Sequence, residues 1–439
     1  MAIIKNRRRL PGIHPKYHKR SNDAATVAIP TPKTVVIPMQ QHIGAEATPT
    51  VKPGDTVFVG QKIGDSDAAM SVPIHSSVSG TVKEIQNSLR VDGRMVKSVV
   101  IETDGEQTLL PEHQPIHAAN RAEFLQAVRE SGLVGLGGAG FPTHMKLAYK
   151  EIDKVDTLII NGAECEPYIT SDYRECIENP EDIIEGIKKV MHYLDLTKCV
   201  IGIENNKPDA IALLSKLTDG MNGVSVMALK TVYPQGAEKV LIYSTTGKIL
   251  QEGMLPADCG AIVMNISTVA ELARYFRTGI PLITRRLTVD GSAVKSPRNL
   301  RVPIGITVRE VLEYCEVDPE SCEEILMGGP MMGVAVSDIN TPIIKNNNAI
   351  LAFTQAQVSY DRTSACIRCG KCVRTCPVKL MPASLERAYD NRDAEALQKL
   401  KINLCINCGC CSYICPAKRD LAAKNQLAKQ FLREKQTKK

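Results

Sequence analysis

The sequence predicts a multidomain chain of α/β and β units. A small β-barrel or sandwich comes first, an α/β layered domain second, a small mixed sheet crossed by one helix third, and a compact cysteine-rich module last. Three observations carry that division. Short β-like runs punctuated by Gly, Pro and Asp fill residues 44–101, and helical segments alternate with apolar runs from about Arg121. Nine of the fifteen cysteines fall between Cys366 and Cys415, with none before Cys165. At 439 residues the chain exceeds one typical domain, and an apolar share of 44% can fill several cores.

Composition narrows the function classes. Trp is absent and aromatics total 4%, which argues against nucleobase-stacking platforms and membrane-interface belts, so no nucleic-acid partner is expected. The formal charge is a mild +6, with basic residues gathered at Lys5 to Arg9, Lys16, Lys19 and Arg20, and again from Lys429 to Lys439. These ends read first as solvated, frayed tails, and second as attraction to anionic lipid or an acidic partner subunit. No run approaches the roughly 18 apolar residues of a membrane helix, and the N-terminus lacks a secretory pattern. In a reducing compartment so many cysteines point to metal ligation rather than disulfides.

In the first unit, Val51-Lys-Pro-Gly-Asp-Thr-Val, Val59-Gly-Gln-Lys-Ile-Gly and His75-Ser-Ser-Val-Ser-Gly-Thr-Val are short strands with turn chemistry between them. Their phrasing resembles the lipoyl/biotinyl barrel-sandwich family. That family carries its cofactor on a lysine at a hairpin tip; the matching turn here is Asp67-Ala-Ala-Met. The resemblance therefore implies a docking scaffold without covalent lipoate or biotin.

The second unit reads as a helix at Ala122 to Glu130, a buried strand at Thr157 to Ile160 and a helix at Pro180 to Tyr193. A strand at Val200 to Ile203, a helix at Asp209 to Leu217 and a strand at Ala261 to Ile266 follow. From Leu282 to Val336 the order is strand, turn at Asp290-Gly291, strand, helix at Val308 to Tyr314, then Met327-Gly-Gly-Pro, which suggests a β-grasp-like unit. Residues Pro382 to Lys401 look helical. After Asp420 a charged helix should bury Leu421, Leu427, Ala428 and Leu432 on one side.

The strongest motif is Cys366-x-x-Cys369-x-x-Cys372-x-x-x-Cys376-Pro377, repeated as Cys405-x-x-Cys408-x-x-Cys411-x-x-x-Cys415-Pro416. Two-residue gaps let the backbone wrap one corner of an iron–sulfur cubane, and the fourth cysteine, beyond the loop, ligates the other cluster in two-cluster ferredoxins. The spacing thus predicts two [4Fe–4S] clusters. One is held by Cys366, Cys369, Cys372 and Cys415, the other by Cys376, Cys405, Cys408 and Cys411. Structural zinc needs one closed set of four ligands and fits two complete runs poorly. Cys410 reads as a packed bystander.

Clusters of this kind only relay electrons, so a second redox group is expected. Gly135-Leu-Gly137-Gly138-Ala-Gly140-Phe141-Pro142 satisfies G-x-G-x-x-G, but a helix rather than a strand precedes it, so the ordinary dinucleotide-fold assignment fails. A tight structural turn is the plain reading. Four glycines in six residues, opening onto a helix with Pro142 near its first turn, favour a phosphate or flavin cradle.

With Thr143 and Lys146 this loop resembles the flavin loop of the NADH-oxidising subunit of respiratory complex I. Asn161-Gly-Ala-Glu164-Cys-Glu166-Pro167, Tyr233-Pro-Gln-Gly236-Ala-Glu238 and Asn265-Ile-Ser-Thr268 match further segments, with Ala163 and Ile266 as departures. The resemblance implies that Gly135, Gly137, Gly138 and Gly140 cradle noncovalent FMN while Lys146, Asn161 and Asn265 hydrogen-bond it. Glu166 and Glu238 would contact NAD(H), with Phe141 stacking; Glu164 and Tyr233 belong to the same segments.

The order of units resembles the C subunit of the Rnf ion-translocating electron transport complex over nearly the whole chain. Expected divisions are 1–115 barrel-sandwich, 116–275 FMN/NADH domain, 276–355 β-grasp, 356–425 two-cluster ferredoxin-type module and 426–439 basic tail. The resemblance implies hydride exchange between NAD(H) and FMN, one-electron transfer through the clusters, and partners among membrane subunits linked to ferredoxin. The place implied is the cytoplasmic face of the membrane, peripherally. An electron-wire subunit with a degenerate nucleotide site, and a soluble cobalamin-type reductase, stay open as alternatives.

Overall fold

The computed structural model describes residues 4–5, 10–149, 154–358 and 362–437. Arg7 to Arg9, Lys438 and Lys439 of the basic ends lie outside the described residues.

The described N-terminal segment is not a frayed tail. Ile4–Lys5 pairs in parallel with the strand Val224–Leu229, and Ile13 bridges Tyr233. The Lys19 ammonium is buried and donates to the carbonyls of Glu164 (2.6 Å) and Ile169 (2.5 Å), and Arg20 pairs with Asp290. Thr26–Ala28 then joins the third unit's sheet beside Arg298–Pro303. The strap is held because it brings cations and backbone donors to acids and carbonyls that burial would otherwise leave unpaired. The described strands up to Ala28 thus pair with the sheets of the second and third units rather than with either barrel sheet.

The barrel-sandwich faces two sheets together. One runs Thr34–Pro38, Met95–Thr103, Gly80–Leu89, Thr56–Val57; the other runs Thr48–Pro49, Lys62–Asp65, Ile74–His75. Alternating apolar positions put Val35, Ile37, Ile63, Ile74, Val99 and Ile101 fully inside.

In the α/β unit five parallel strands lie in the order Ile4–Lys5, Val224–Leu229, Lys198–Glu204, Thr157–Gly162, Ala261–Asn265. The chain works outward from Thr157–Gly162 on one side, then returns to place Ala261–Asn265 on the other. Between those two strands the winding reverses, the place where open α/β sheets bind ligands beyond their carboxyl ends. The helices Pro180–Tyr193 and Ile266–Thr278 pack together on this sheet through Ile183, Ile187, Val269 and Leu272. Three helices not expected from the sequence also appear, Ser171–Glu178, Glu238–Thr246 and Ile266–Thr278.

The third sheet is mixed, with order Val334–Ala335, Glu324–Met327, Ala349–Phe353, Thr284–Asp290, Arg298–Pro303, Thr26–Ala28. Its helix, Val308–Tyr314, starts at a reciprocal cap between Thr307 and Glu310.

The two cysteine runs fold as a pair of equivalent loops. Arg368 and Asn407, Gly370 and Gly409, and Lys379 and Lys418 all take positive φ at positions 39 residues apart, and each run leads into a short helix, Lys371–Thr375 or Cys410–Tyr413. The linker forms the helices Pro382–Asp390 and Ala394–Lys399. The final helix, Leu421–Thr437, is no separate tail. Leu421, Ala428 and Leu432 are buried, the last two against Leu385, Leu397 and Ile402, while Leu427 is 47% exposed. Leu427 misses the seam because Leu421, Asn425, Ala428 and Leu432 follow the i, i+4, i+7, i+11 face.

Candidate flavin and iron–sulfur sites

Asn161, next to last in Thr157–Gly162, and Asn265, last in Ala261–Asn265, are register partners at the reversal point. Asn265 Oδ1 accepts from the amides of Ser267 and Thr268, capping the next helix, while Nδ2 donates to Asp172 at 2.7 Å. Asn161 Nδ2 donates to Gly236 O at 2.8 Å. An amide NH2 has two donors, so each keeps a second N–H for a ligand. Asp172 also accepts from Ser267 Oγ at 2.6 Å, and burial raises its pKa to about 6. Nothing in the sequence pattern singled Asp172 out; it lies on an unforeseen helix.

The glycine loop arrives over these strand ends from outside the sheet. At Gly137 a Cβ would sit 2.8 Å from Asn265 Nδ2, so only glycine allows that approach. Gly138, at φ +151°, faces open space, and Gly137, Gly138 and Ala139 are exposed. Gly135 N donates to Phe141 O at 2.8 Å and closes the loop, with Phe141 half-buried. Gly140 O accepts from Ile43 N of the barrel at 3.1 Å, and Gly138 O from Asn346 Nδ2 of the third unit at 2.5 Å. Asn346 Oδ1 is a buried acceptor without a partner among the described residues. The following helix, Thr143–Leu147, has only five residues, so the cradle rests on open loop amides rather than on a helix dipole. Lys146 Nζ donates to Glu238 (2.9 Å) and to Val263 O (3.0 Å) on the neighbouring strand. Exposed glycines, an unpartnered acceptor, spare amide donors and a cation at one rim fit a polar, phosphate-bearing flavin.

Three expected residues stand elsewhere. Glu164 is buried and turned inward, accepting from Asp172 N (2.7 Å), Tyr173 N and Ser171 Oγ at the start of Ser171–Glu178, with Lys19 3.7 Å away. It anchors that helix rather than facing the glycine loop. Glu166 and Tyr233 form a second group. Glu166 Oε2 accepts from Met331 N at 3.0 Å and Oε1 from Tyr233 Oη at 3.4 Å, and burial raises the Glu166 pKa to about 7.

That second group touches the cysteine module. Tyr233, Ile13, Cys408 and Cys410 share one buried cluster with Cys165, Met331 and Ile406 packed on it, and a Cβ at Gly409 would lie 2.9 Å from Met331 O. The loop Gly328 to Gly333, read from sequence only as part of the β-grasp-like unit, is thus a wedge between Glu166 and the second cysteine loop.

The cysteines fall into two groups that cross the two runs. Cys366, Cys369, Cys372 and Cys415 together line a cavity of about 200 Å3, although Cys415 belongs to the other run. In the second group, burial and then the thiols of Cys405, Cys408 and Cys376 push Cys411 up to about 12. Cys376 is raised by burial, with Cys408 and Cys405 as its charged neighbours. Backbone amides already aim at sulfur, Leu380 N at Cys376 Sγ (3.3 Å) and Asn407 N at Cys405 Sγ (3.4 Å). Among the described residues no three His, Cys, Asp or Glu side chains close on a single-ion point. Two sets of four thiols, each drawn from both runs, are the donor chemistry that iron–sulfur cubanes take.

Comparison with known proteins agrees with this geometry. Residues 9–106 match the RnfC barrel sandwich hybrid domain, 128–274 the Nuo51 FMN-binding domain, and 358–416 a 4Fe-4S dicluster domain. The chain is 41% identical over 386 residues to the C subunit of the Na(+)-translocating ferredoxin:NAD(+) oxidoreductase complex of Acetobacterium woodii, covering 87% of each. It is 42% identical over 378 residues to the proton-translocating counterpart of Clostridium ljungdahlii, covering 85% of this chain and 82% of that one. Among solved structures, an NAD+-reducing [NiFe]-hydrogenase in the H2-reduced state shares the fold, with TM-score 0.50, 17% identity, and coverage of 72% of this chain and 63% of that one.

Proposed function

The chain belongs to the C-subunit family of ion-translocating ferredoxin:NAD(+) oxidoreductase complexes, and from that premise we propose that it is the complex's site of hydride exchange with NAD(H). It is an oxidoreductase subunit with an FMN-binding domain and a 4Fe-4S dicluster domain. When bound, a flavin converts two-electron to one-electron traffic and iron–sulfur clusters carry the single electrons.

The residues divide that work. Gly135, Gly137, Gly138 and Gly140 hold the flavin by open backbone, and Asn161, Asn265 and Lys146 hydrogen-bond it. Glu238 orients Lys146 and, with Phe141, faces the nicotinamide. Glu166 and Tyr233 fix the wedge that joins the nucleotide unit to the clusters, and Glu164 secures the scaffold beneath. Two clusters follow from the two cysteine sets. The set with Cys376, Cys405, Cys408 and Cys411 is the inner one, against Met331, and the set with Cys366, Cys369, Cys372 and Cys415 is the outer one. The third unit is of β-grasp type.

No helix among the described residues is long and apolar enough to cross a membrane. By its family we place the chain peripherally on the cytoplasmic face, held by membrane subunits. The observation that carries the reading is Met331, which touches the inner cysteine loop while its amide is held by Glu166 of the nucleotide unit. EPR of the anaerobic, flavin-loaded protein before and after NADH tests it. Two reduced-cluster signals should appear with NADH. A protein that holds flavin but whose clusters ignore NADH is an electron wire, and this reading then fails.

A further inference from the structure

The two cysteine loops share their backbone and their ligand spacing, but they differ sharply between the second and third cysteines. There the outer loop carries Gly370-Lys371, with Lys371 exposed, and the inner loop carries Gly409-Cys410, with Cys410 only 1% exposed. By spacing alone Cys410 is a bystander, one thiol more than the inner set needs. Its surroundings give it a task.

Cys410 lies in the buried cluster with Cys408, Ile13 and Tyr233. Its single S–H proton has two acceptors within reach. One is Tyr233 O, 3.8 Å from Cys410 Sγ, but that carbonyl already accepts from the amide of Ile13 at 2.9 Å. The other is the sulfur of Cys408, which the Cys410 side chain hydrogen-bonds and at which the Cys410 amide also aims. A cluster-bound thiolate is charged and the carbonyl is not, and hydrogen bonds to an ionised acceptor are roughly twice as strong. With a cluster in place the proton therefore belongs to Cys408.

Burial gives that proton its consequence. Cys376, Cys408 and Cys411 are all buried, so an added electron puts negative charge where little water can answer it. Hydrogen bonds to the sulfurs offset this and raise the potential. Cys376 Sγ accepts from Leu380 N at 3.3 Å and Cys405 Sγ from Asn407 N at 3.4 Å. Cys410 adds a side-chain donor at a third sulfur. The outer set includes the exposed Cys366 and has Lys371 where the inner loop has the thiol.

We propose that Cys410 is a positioning residue that acts through Cys408, donating its S–H to that sulfur and raising the reduction potential of the inner cluster without ligating it. This rests on the two-cluster reading above. The thiol keeps its proton throughout; the inner cluster gains or loses one electron and no bond is made or broken.

The test uses the anaerobic full chain loaded with both clusters. EPR-monitored redox titration gives a midpoint for each, the inner signal being the one that Cys376→Ser removes. In Cys410→Ala the reduced-to-oxidised ratio of the inner cluster at a fixed potential should fall about tenfold, which is 59 mV for one electron. The outer midpoint should stay where it is. Cys410→Val fills the space without a donor and should shift in the same sense, whereas Cys410→Ser keeps a donor and should restore most of the potential. In D2O, pulsed ENDOR of the reduced inner cluster should lose one exchangeable deuteron coupling between the unaltered chain and Cys410→Val. Equal inner midpoints in the unaltered chain, Cys410→Ala and Cys410→Val would overturn the proposal. Loss of the inner cluster's iron from a folded Cys410→Val chain would overturn it too, by making Cys410 a ligand. An unaltered chain that takes up one cluster or none sinks the two-cluster reading itself, before any variant is compared.

Discussion

Gly329 exists to let Glu166 in: a Cβ at position 329 would lie 2.2 Å from Glu166 Oε2 and 2.8 Å from its Cβ. Glu166 cannot move aside freely, because Oε2 holds Met331 N and Oε1 holds Tyr233 Oη. Gly329→Ala should therefore break the Met331 bond and cost about 1–3 kcal/mol. Urea unfolding gives the cost, and slower NADH-dependent reduction of the inner cluster should accompany it. A variant with unchanged midpoint and unchanged rate would show that the wedge is not a fixed spacer.

The division of the cysteines makes a prediction that runs against chain order. Cys415→Ser should remove the outer cluster although that cysteine ends the second run, and Cys376→Ser should remove the inner one although it ends the first. EPR lineshape and iron content distinguish the two variants. Loss of both signals from either variant, in a chain that still folds, would contradict the division.

At the glycine loop, Gly137→Ala places a Cβ 2.8 Å from Asn265 Nδ2 and should expel flavin. Lys146→Met removes a half-exposed ion pair with Glu238, which carries less than about 1 kcal/mol of stability, yet should loosen flavin roughly tenfold. Ultrafiltration of the loaded protein measures both. Full retention of flavin by both variants would move the site away from this rim.

Lys345 joins the barrel to the nucleotide unit. Its buried ammonium donates to Pro73 O and Gly132 O, each at 2.7 Å, and burial lowers its pKa to about 7. Burial holds His42 down at about 4 and His75 well below its usual value, so neither titrates in the window that matters. Between pH 7 and about 10 the unfolded chain binds the proton that the folded one has lost. Burying Lys345 therefore costs stability in full below pH 7, and stability recovers by roughly 1.4 kcal/mol per unit as pH rises from 7 toward 10. Relative to Lys345→Met, the unaltered chain should gain stability from pH 7 to 9 in urea titrations; equal slopes would refute a depressed pKa.

Much was legible in the sequence. Cysteine spacing is a local property of a backbone wrapping a cubane, so the eight thiols of the two runs stand out with no knowledge of the fold. Helical patterning likewise placed Val308–Tyr314 and Pro180–Tyr193 to the residue. The glycine loop announced itself because only glycine tolerates Gly138's φ and Gly137's approach to Asn265.

What the tertiary structure alone decided is which residues meet across distance. Glu164 and Glu166 sit two residues apart in a turn that sends one carboxylate to cap a helix and the other to the cluster seam. Asp172 reaches Asn265 only because Ser171–Glu178 and Ile266–Thr278 pack side by side. The N-terminal cations read as a loose tail because their partners, Glu164 and Asp290, lie 145 and 270 residues away. Local chemistry is written in adjacent side chains, whereas burial and pairing depend on which surfaces the folded sheets bring together.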